Sequence, residues 1–139
     1  METLYVYALL CTVGFDQFSK FEAALNTCFL SDPSNEVLFD LEERSMKDAI
    51  LHMLHLAEVS SIDTEAFGKT LMDALKPIYR SNPISEFSSK TYALWQTLPS
   101  KMDTKEPFHT FSYAGDCLDY GDEEQCRKLY ECALDYYEA

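Results

Sequence analysis

Three groups of residues in this 139-residue chain have types and spacings that could support chemistry. Asp48, His52 and His55 stand at i, i+4 and i+7, which on a helix stacks a carboxylate and two imidazoles along one side. Imidazole nitrogen and carboxylate oxygen are zinc ligands, so the set could hold a metal. Projection places Asp48 and His55 nearly opposite the Met46, Ile50, Met53 stripe, with His52 at its border. An exposed polar face explains that placement without a metal, and no HExxH motif is present. The second group is His109 with the five cysteines Cys11, Cys28, Cys117, Cys126 and Cys132, the ingredients of a Cys–His nucleophile. No nucleophile motif frames them. There is no CxxC pair, and neither GxGxxG nor GxxxxGK[ST] occurs, so phosphate-cradling readings drop out. The reading is a chain without a catalytic centre, a metal or a cofactor.

The third group has the most definite character. From Tyr113 to Ala139 the chain carries eight acids: Asp116, Asp119, Asp122, Glu123, Glu124, Glu131, Asp135 and Glu138. Only Arg127 and Lys128 oppose them, and Tyr113, Tyr120, Tyr130, Tyr136 and Tyr137 are interleaved. Aromatics provide anchor area at interfaces, and carboxylates complement Lys and Arg. The bland reading of any one acid is a solvated helix face. The binding reading concentrates negative potential and an anchor at Asp116, Asp119, Tyr120, Asp122, Glu123 and Glu124. The same choice applies to Trp95, Phe108, Phe111, Tyr113 and Tyr120. Buried, they dock a connection onto the helices; partly exposed beside the acids, they form an acidic-aromatic surface.

The elements that must position these groups are helical. Gly121-Asp122 breaks the chain and offers Asp122 as an N-cap, with Gln125 three residues on as a capping-box variant. Cys126, Leu129, Tyr130, Ala133 and Tyr137 then share one stripe of an amphipathic terminal helix. Upstream, Phe18, Phe21, Ala24, Leu25 and Cys28 recur at helical spacing over Asp16–Phe29. SDPSN at 31–35 is a loop. Met46, Ala49, Ile50, Met53, Leu56 and Ala57 mark a helix to about Glu58, with Leu38 and Leu41 continuing it backwards or forming a separate turn. Asp63 can cap the next helix, whose Phe67, Leu71, Ala74, Leu75 and Ile78 share a face. Pro77 lies inside that run, so a kink or early stop near Lys76 is expected.

Another helix opens at Ser85 or Glu86, turns Phe87, Thr91, Leu94, Trp95 and Leu98 inward, and closes at Pro99. KMDTKEPFHTFSY reads as an extended connection leading to a short turn or helix at Ala114–Tyr120. Gly68 marks close helix packing, while Gly115 and Gly121 read as turn glycines. Thr3–Val13 stays open between strand and buried helix, because a continuous apolar run fits both. The expected class is all-α: one domain over residues 1–139, with about five helices.

Composition narrows the partners. Eleven basic residues against twenty-four acidic ones give a formal charge of −13. Such a surface repels nucleic acid and anionic membranes and steers cationic partners inward. The 47% apolar and 14% aromatic content argues against disorder. The apolar N-terminus lacks a basic n-region and is too short to span a bilayer. An odd cysteine count without ligand spacing points to reduced thiols, mostly buried, in the cytoplasm.

The run ALWQTLPSKMDTKEPFHTFSYAGDCLDYGDEEQCRKLYECALDYYE lies within about Tyr92 to Glu138, a third of the chain. It resembles the C-terminal part of small acidic bacterial immunity proteins, which neutralise a cognate toxin. The resemblance implies a non-catalytic inhibitor whose acids meet a basic toxin, often a nuclease. The helical colicin-type members carry a tyrosine pair on a short helix. Tyr136-Tyr137 here falls on the long terminal helix instead, so no site residue is carried over. The competing reading is an adaptor or regulatory subunit whose acidic helix meets a basic protein.

Overall fold

The computed structural model describes residues 2–59 and 63–138. It is all-α: ten helical segments and no strand occur among the described residues. Seven segments have eight or more residues and three are single turns, so the expected five helices undercount the elements. The chain divides into two compact units, residues 1–63 and 64–139.

The first unit holds α1 (Glu2–Thr12), α2 (Phe18–Ser31), α3 (Glu36–Glu43) and α4 (Met46–Val59). Helix α1 resolves the open choice at the N-terminus. It buries Leu4, Tyr5, Val6, Ala8, Leu9 and Leu10, positions that fall all round a helix rather than on one face. An apolar helix of that kind is a core element, and α1 packs on both α2 and α4. Gly14 ends it with φ 105°, so that the Phe15 N–H reaches Leu10 O at 3.0 Å and the Gly14 N–H reaches Cys11 O at 3.2 Å. This is a Schellman closure, and the residue after the glycine, Phe15, is buried. Leu38 and Leu41 form a helix of their own, α3, capped by the Asn35 side chain and separated from α4 at Arg44-Ser45. In α4, Ala49, Ile50 and Met53 are buried as their spacing predicts; the side chain of Ala57 lies outside the described residues.

The second unit holds α5 (Thr64–Ser81), α6 (Ile84–Thr97), α7 (Ser100–Asp103), α8 (Thr110–Tyr113), α9 (Asp116–Asp119) and α10 (Glu123–Leu134). Helix α5 buries Phe67, Leu71, Leu75 and Ile78 along one face and runs through Pro77 without the expected early stop. Proline removes one backbone donor. The turn beyond it is held by buried Ile78, by Ser81 Oγ donating to Pro77 O (2.9 Å) and by Asn82 Nδ2 donating to Ile78 O (2.8 Å).

Helix α6 turns Phe87, Thr91 and Leu94 inward, and Thr91 satisfies its buried hydroxyl on Phe87 O at 2.8 Å. Its end is folded back by Trp95, whose Nε1 donates to Asp103 O at 2.7 Å. The stretch after Pro99 is therefore not extended, as its turn-formers suggested, but coiled into α7 and α8. Burying Met102, Phe108 and Phe111 together requires a compact backbone. Phe108 stacks on Phe67 of α5 at 5.9 Å between centroids. The aromatic group thus divides: Phe108 and Phe111 are buried, Trp95 is half-buried, and Tyr113 and Tyr120 are exposed.

Helix α10 packs on α5, α8 and α9 through Cys126, Tyr130, Ala133 and Leu134. Its helix ends at Leu134, so Tyr136 and Tyr137 lie in the turn that follows rather than on the helix. The Tyr137 ring covers Gly68, where a Cβ would strike it, so that glycine admits a side chain from the turn after α10 rather than another helix.

Candidate functional site

Six of the eight acids in the terminal stretch are engaged within the protein. Asp122 accepts from the Gln125 N–H at 3.0 Å and caps α10. Glu123 pairs with Arg127 at 3.0 Å and Glu124 with Lys128 at 3.3 Å, both one helical turn away. Glu131 lies 3.4 Å from the Tyr79 hydroxyl, and Lys76 of α5 gathers Asp135 and Glu138. These ion pairs are exposed and individually weak, but with the cap and the tyrosine contact they leave only two of the eight acids without a partner inside the protein. Asp116 and Asp119 are exposed and have no internal partner among the described residues.

Those two carboxylates line one open groove of about 400 Å³. Its second wall is α6, which contributes Ser85, Ser88, Ser89 and Tyr92. Phe111, Ser112, Gly115 and Leu118 complete it from α8, α9 and the bend between them. The spacing of Ser85, Ser88, Ser89 and Tyr92 puts all four on one helical face. That signal was present in the sequence, but a serine face reads as ordinary surface until something packs beside it. Gly115 is more than a turn glycine: its φ is an unstrained −67°, yet a Cβ there would collide with Ser88 Oγ. Its bare Cα leaves room for the Ser88 hydroxyl where the α8–α9 bend meets α6.

The predicted binding residues therefore separate. Asp116 and Asp119 share the groove, and Tyr120 stands next to them with 87% of its surface exposed. Asp122, Glu123 and Glu124 are committed to capping and pairing on α10. The turn that separates the two sets is made by Gly121, whose φ of 79° allows the Asp122 N–H to reach Cys117 O at 2.8 Å.

The other constellations fare differently. His52 faces Asp40 of α3, with Nε2 3.6 Å from Oδ2, and Asp40 is also held by Arg44 at 2.9 Å. Asp48 and His55 are exposed on α4, and no three His, Cys, Asp or Glu side chains converge as a metal site among the described residues. His109 sits edge-on to Tyr113, with its Nδ1 3.4 Å from Ser112 Oγ.

All five cysteines are free, but only Cys126 is buried, contrary to the expectation for most of them. Burial pushes its thiol up to about 11, the opposite of an activated nucleophile. The raised value has a consequence for stability. The unfolded chain loses this proton near the ordinary value of 9.0 while the folded chain retains it. The thiol's contribution is complete below about pH 9 and is lost as pH rises toward 11. Tyr79, Tyr130 and Tyr137, also raised by burial, act in the same direction at higher pH. Thermal unfolding followed from pH 7 to 11 should show a midpoint that falls above about pH 9. The fall should be shallower in Cys126→Ala, and an identical slope in the variant would contradict the assignment.

No helix among the described residues is long and apolar enough to cross a membrane. Compared with models of known protein families, with curated proteins and with solved structures, the chain gives no match. A functional reading therefore rests on the groove itself.

Proposed function

We propose that this is a non-catalytic immunity-type protein that binds and neutralises a basic cognate toxin, with the face carrying Asp116 and Asp119 as the contact. One observation carries the reading. Where six neighbouring acids are engaged within the fold, these two are left unpaired on a groove, with Tyr92 exposed at its wall and Tyr120 exposed next along the chain from Asp119. Unpaired carboxylates near aromatic surface attract Lys and Arg at long range, and desolvated pairs with them hold a complex together. The test is co-expression with the product of a neighbouring toxin gene. The protein should restore growth, and Asp116→Lys with Asp119→Lys should abolish the protection and slow association at low salt. Asp122→Ala is the control: loss of its cap should cost about 1 kcal/mol of stability while protection persists. A basic neighbour that is bound without protection would replace this reading with an adaptor, and protection unaffected by the lysine pair would move the contact elsewhere.

A further inference from the structure

The floor of the groove has a feature that solvated acids do not explain. Tyr130 of α10 is fully buried, and its hydroxyl meets no partner in good hydrogen-bonding geometry, although the hydroxyls of Ser88 and Thr91 stand close enough to reach it. It points at the groove from behind: it lies 3.8 Å from the position a Cβ would take on Gly115, and Ser88 and Gly115 both line the groove. A buried hydroxyl without a partner is costly, and nothing in the packing of Tyr79, Phe87 and Phe111 around the ring requires it. Phenylalanine would fill the same space.

Of the two hydroxyls beside the phenol, only Ser88 also lines the groove, so it is the group able to join the phenol to it. A hydroxyl has one hydrogen and two lone pairs. If Ser88 turns its hydrogen to the Tyr130 oxygen, it offers only lone pairs outward, beside the carboxylates of Asp116 and Asp119. The groove is then rich in acceptors: the two carboxylates, the lone pairs of Ser88, and Ser112, whose hydrogen is already donated to His109 O at 2.6 Å. The group that matches is one with several donors and no acceptor. Guanidinium is planar, carries five N–H groups, pairs with carboxylates in a fork and stacks on aromatic faces. Tyr92, 44% exposed at the groove wall, is the face available for stacking.

We propose that the groove between α6 and the α8–α9 bend receives one arginine side chain of the protein partner. The guanidinium is held by Asp116 and Asp119, stacked on Tyr92, and linked through Ser88 to the buried Tyr130 hydroxyl. This rests on the toxin-binding reading for its source of arginine, but the site itself can be tested without any toxin.

The experiment is a titration of the ¹⁵N-labelled protein with N-acetyl-arginine amide, and in parallel with its lysine and citrulline counterparts and with free arginine. The blocked arginine should shift resonances confined to residues 85–92 and 111–119. It should bind more tightly than the lysine compound and roughly tenfold or more tightly than neutral citrulline. Asp116→Asn with Asp119→Asn, two exposed positions without internal partners, should fold normally and lose that preference. Tyr130→Phe should raise the unfolding midpoint or leave it unchanged, yet weaken arginine binding several-fold, a divergence that a merely structural tyrosine would not give. Equal response to arginine and citrulline, or shifts scattered over the surface, overturns the site. Unchanged binding in Tyr130→Phe overturns the link through Ser88, and free arginine binding better than the blocked form overturns a protein source. Specific arginine binding without protection against any toxin retains the groove and removes the toxin reading. Protection that survives the asparagine pair in a protein that does not bind arginine removes the groove alone.

Discussion

Replacing Tyr130 with alanine is expected to cost about 3–5 kcal/mol of stability. The ring is fully buried and meets three others: Phe87 edge-on at 5.0 Å, Phe111 at 6.2 Å and Tyr79 at 6.4 Å. Those rings come from α6, α8 and α5, so one side chain of α10 ties three neighbouring elements. Truncation loses the transfer free energy of the ring and leaves a cavity that its rigid neighbours cannot close. A domain of this size has a total stability of about 5–15 kcal/mol, so the variant should retain only a small margin. Tyr130→Phe separates the ring from its hydroxyl. Removing an unbonded buried hydroxyl should be neutral or stabilising by up to about 1 kcal/mol. Urea unfolding of the two variants beside the wild type measures both. A cost above about 1 kcal/mol for phenylalanine would show that the hydroxyl has a partner in the free protein.

Phe108→Ala should be similarly severe, about 3–5 kcal/mol, and should also remove the groove. Phe108 is fully buried and stacks on Phe67. It anchors the stretch between Pro99 and Thr110, where the regular hydrogen bonding of long helices is missing and side-chain burial sets the path. From that stretch hang Phe111, Ser112, Gly115 and Asp116, one wall of the groove. Destabilisation should therefore come with loss of resonance dispersion over residues 100–119 and loss of any arginine response. A double-mutant cycle with Phe67→Ala isolates the pair: the two losses should fall short of additivity because each variant already removes the shared contact. Additive losses would mean that Phe108 is held by the remainder of its environment rather than by Phe67.

The second effect arises in the stretch after Pro99, where the expected extended connection proved to be coiled, and the reason is physical. Long helices announce themselves by periodicity. The apolar spacings of α2, α4, α5, α6 and α10 were enough to place them, as was the Asp122 cap at the start of α10. Local rules also marked the boundary of α6 before Pro99 and the turn at Gly121, because proline and glycine act within a few residues of themselves. The helix of Glu2–Thr12 had no such signature: apolar on every side, it lacks the contrast that distinguishes a 3.6-residue from a 2-residue repeat.

The negative character of the terminal stretch, and the absence of any catalytic motif within it, follow from composition alone. Which acids remain available does not. Glu138 and Asp135 are drawn to Lys76, 62 and 59 positions earlier, and no reading of neighbours along the chain anticipates such pairs. Asp116 and Asp119 face the serines of α6 because the α8–α9 bend is drawn beside that helix by the burial of Phe108 and Phe111, with Gly115 leaving room for the Ser88 hydroxyl. Charge, periodicity and turn chemistry are properties of short stretches and can be read from order alone. A groove is a relation between elements distant in sequence, and it comes into being only when their apolar faces have packed.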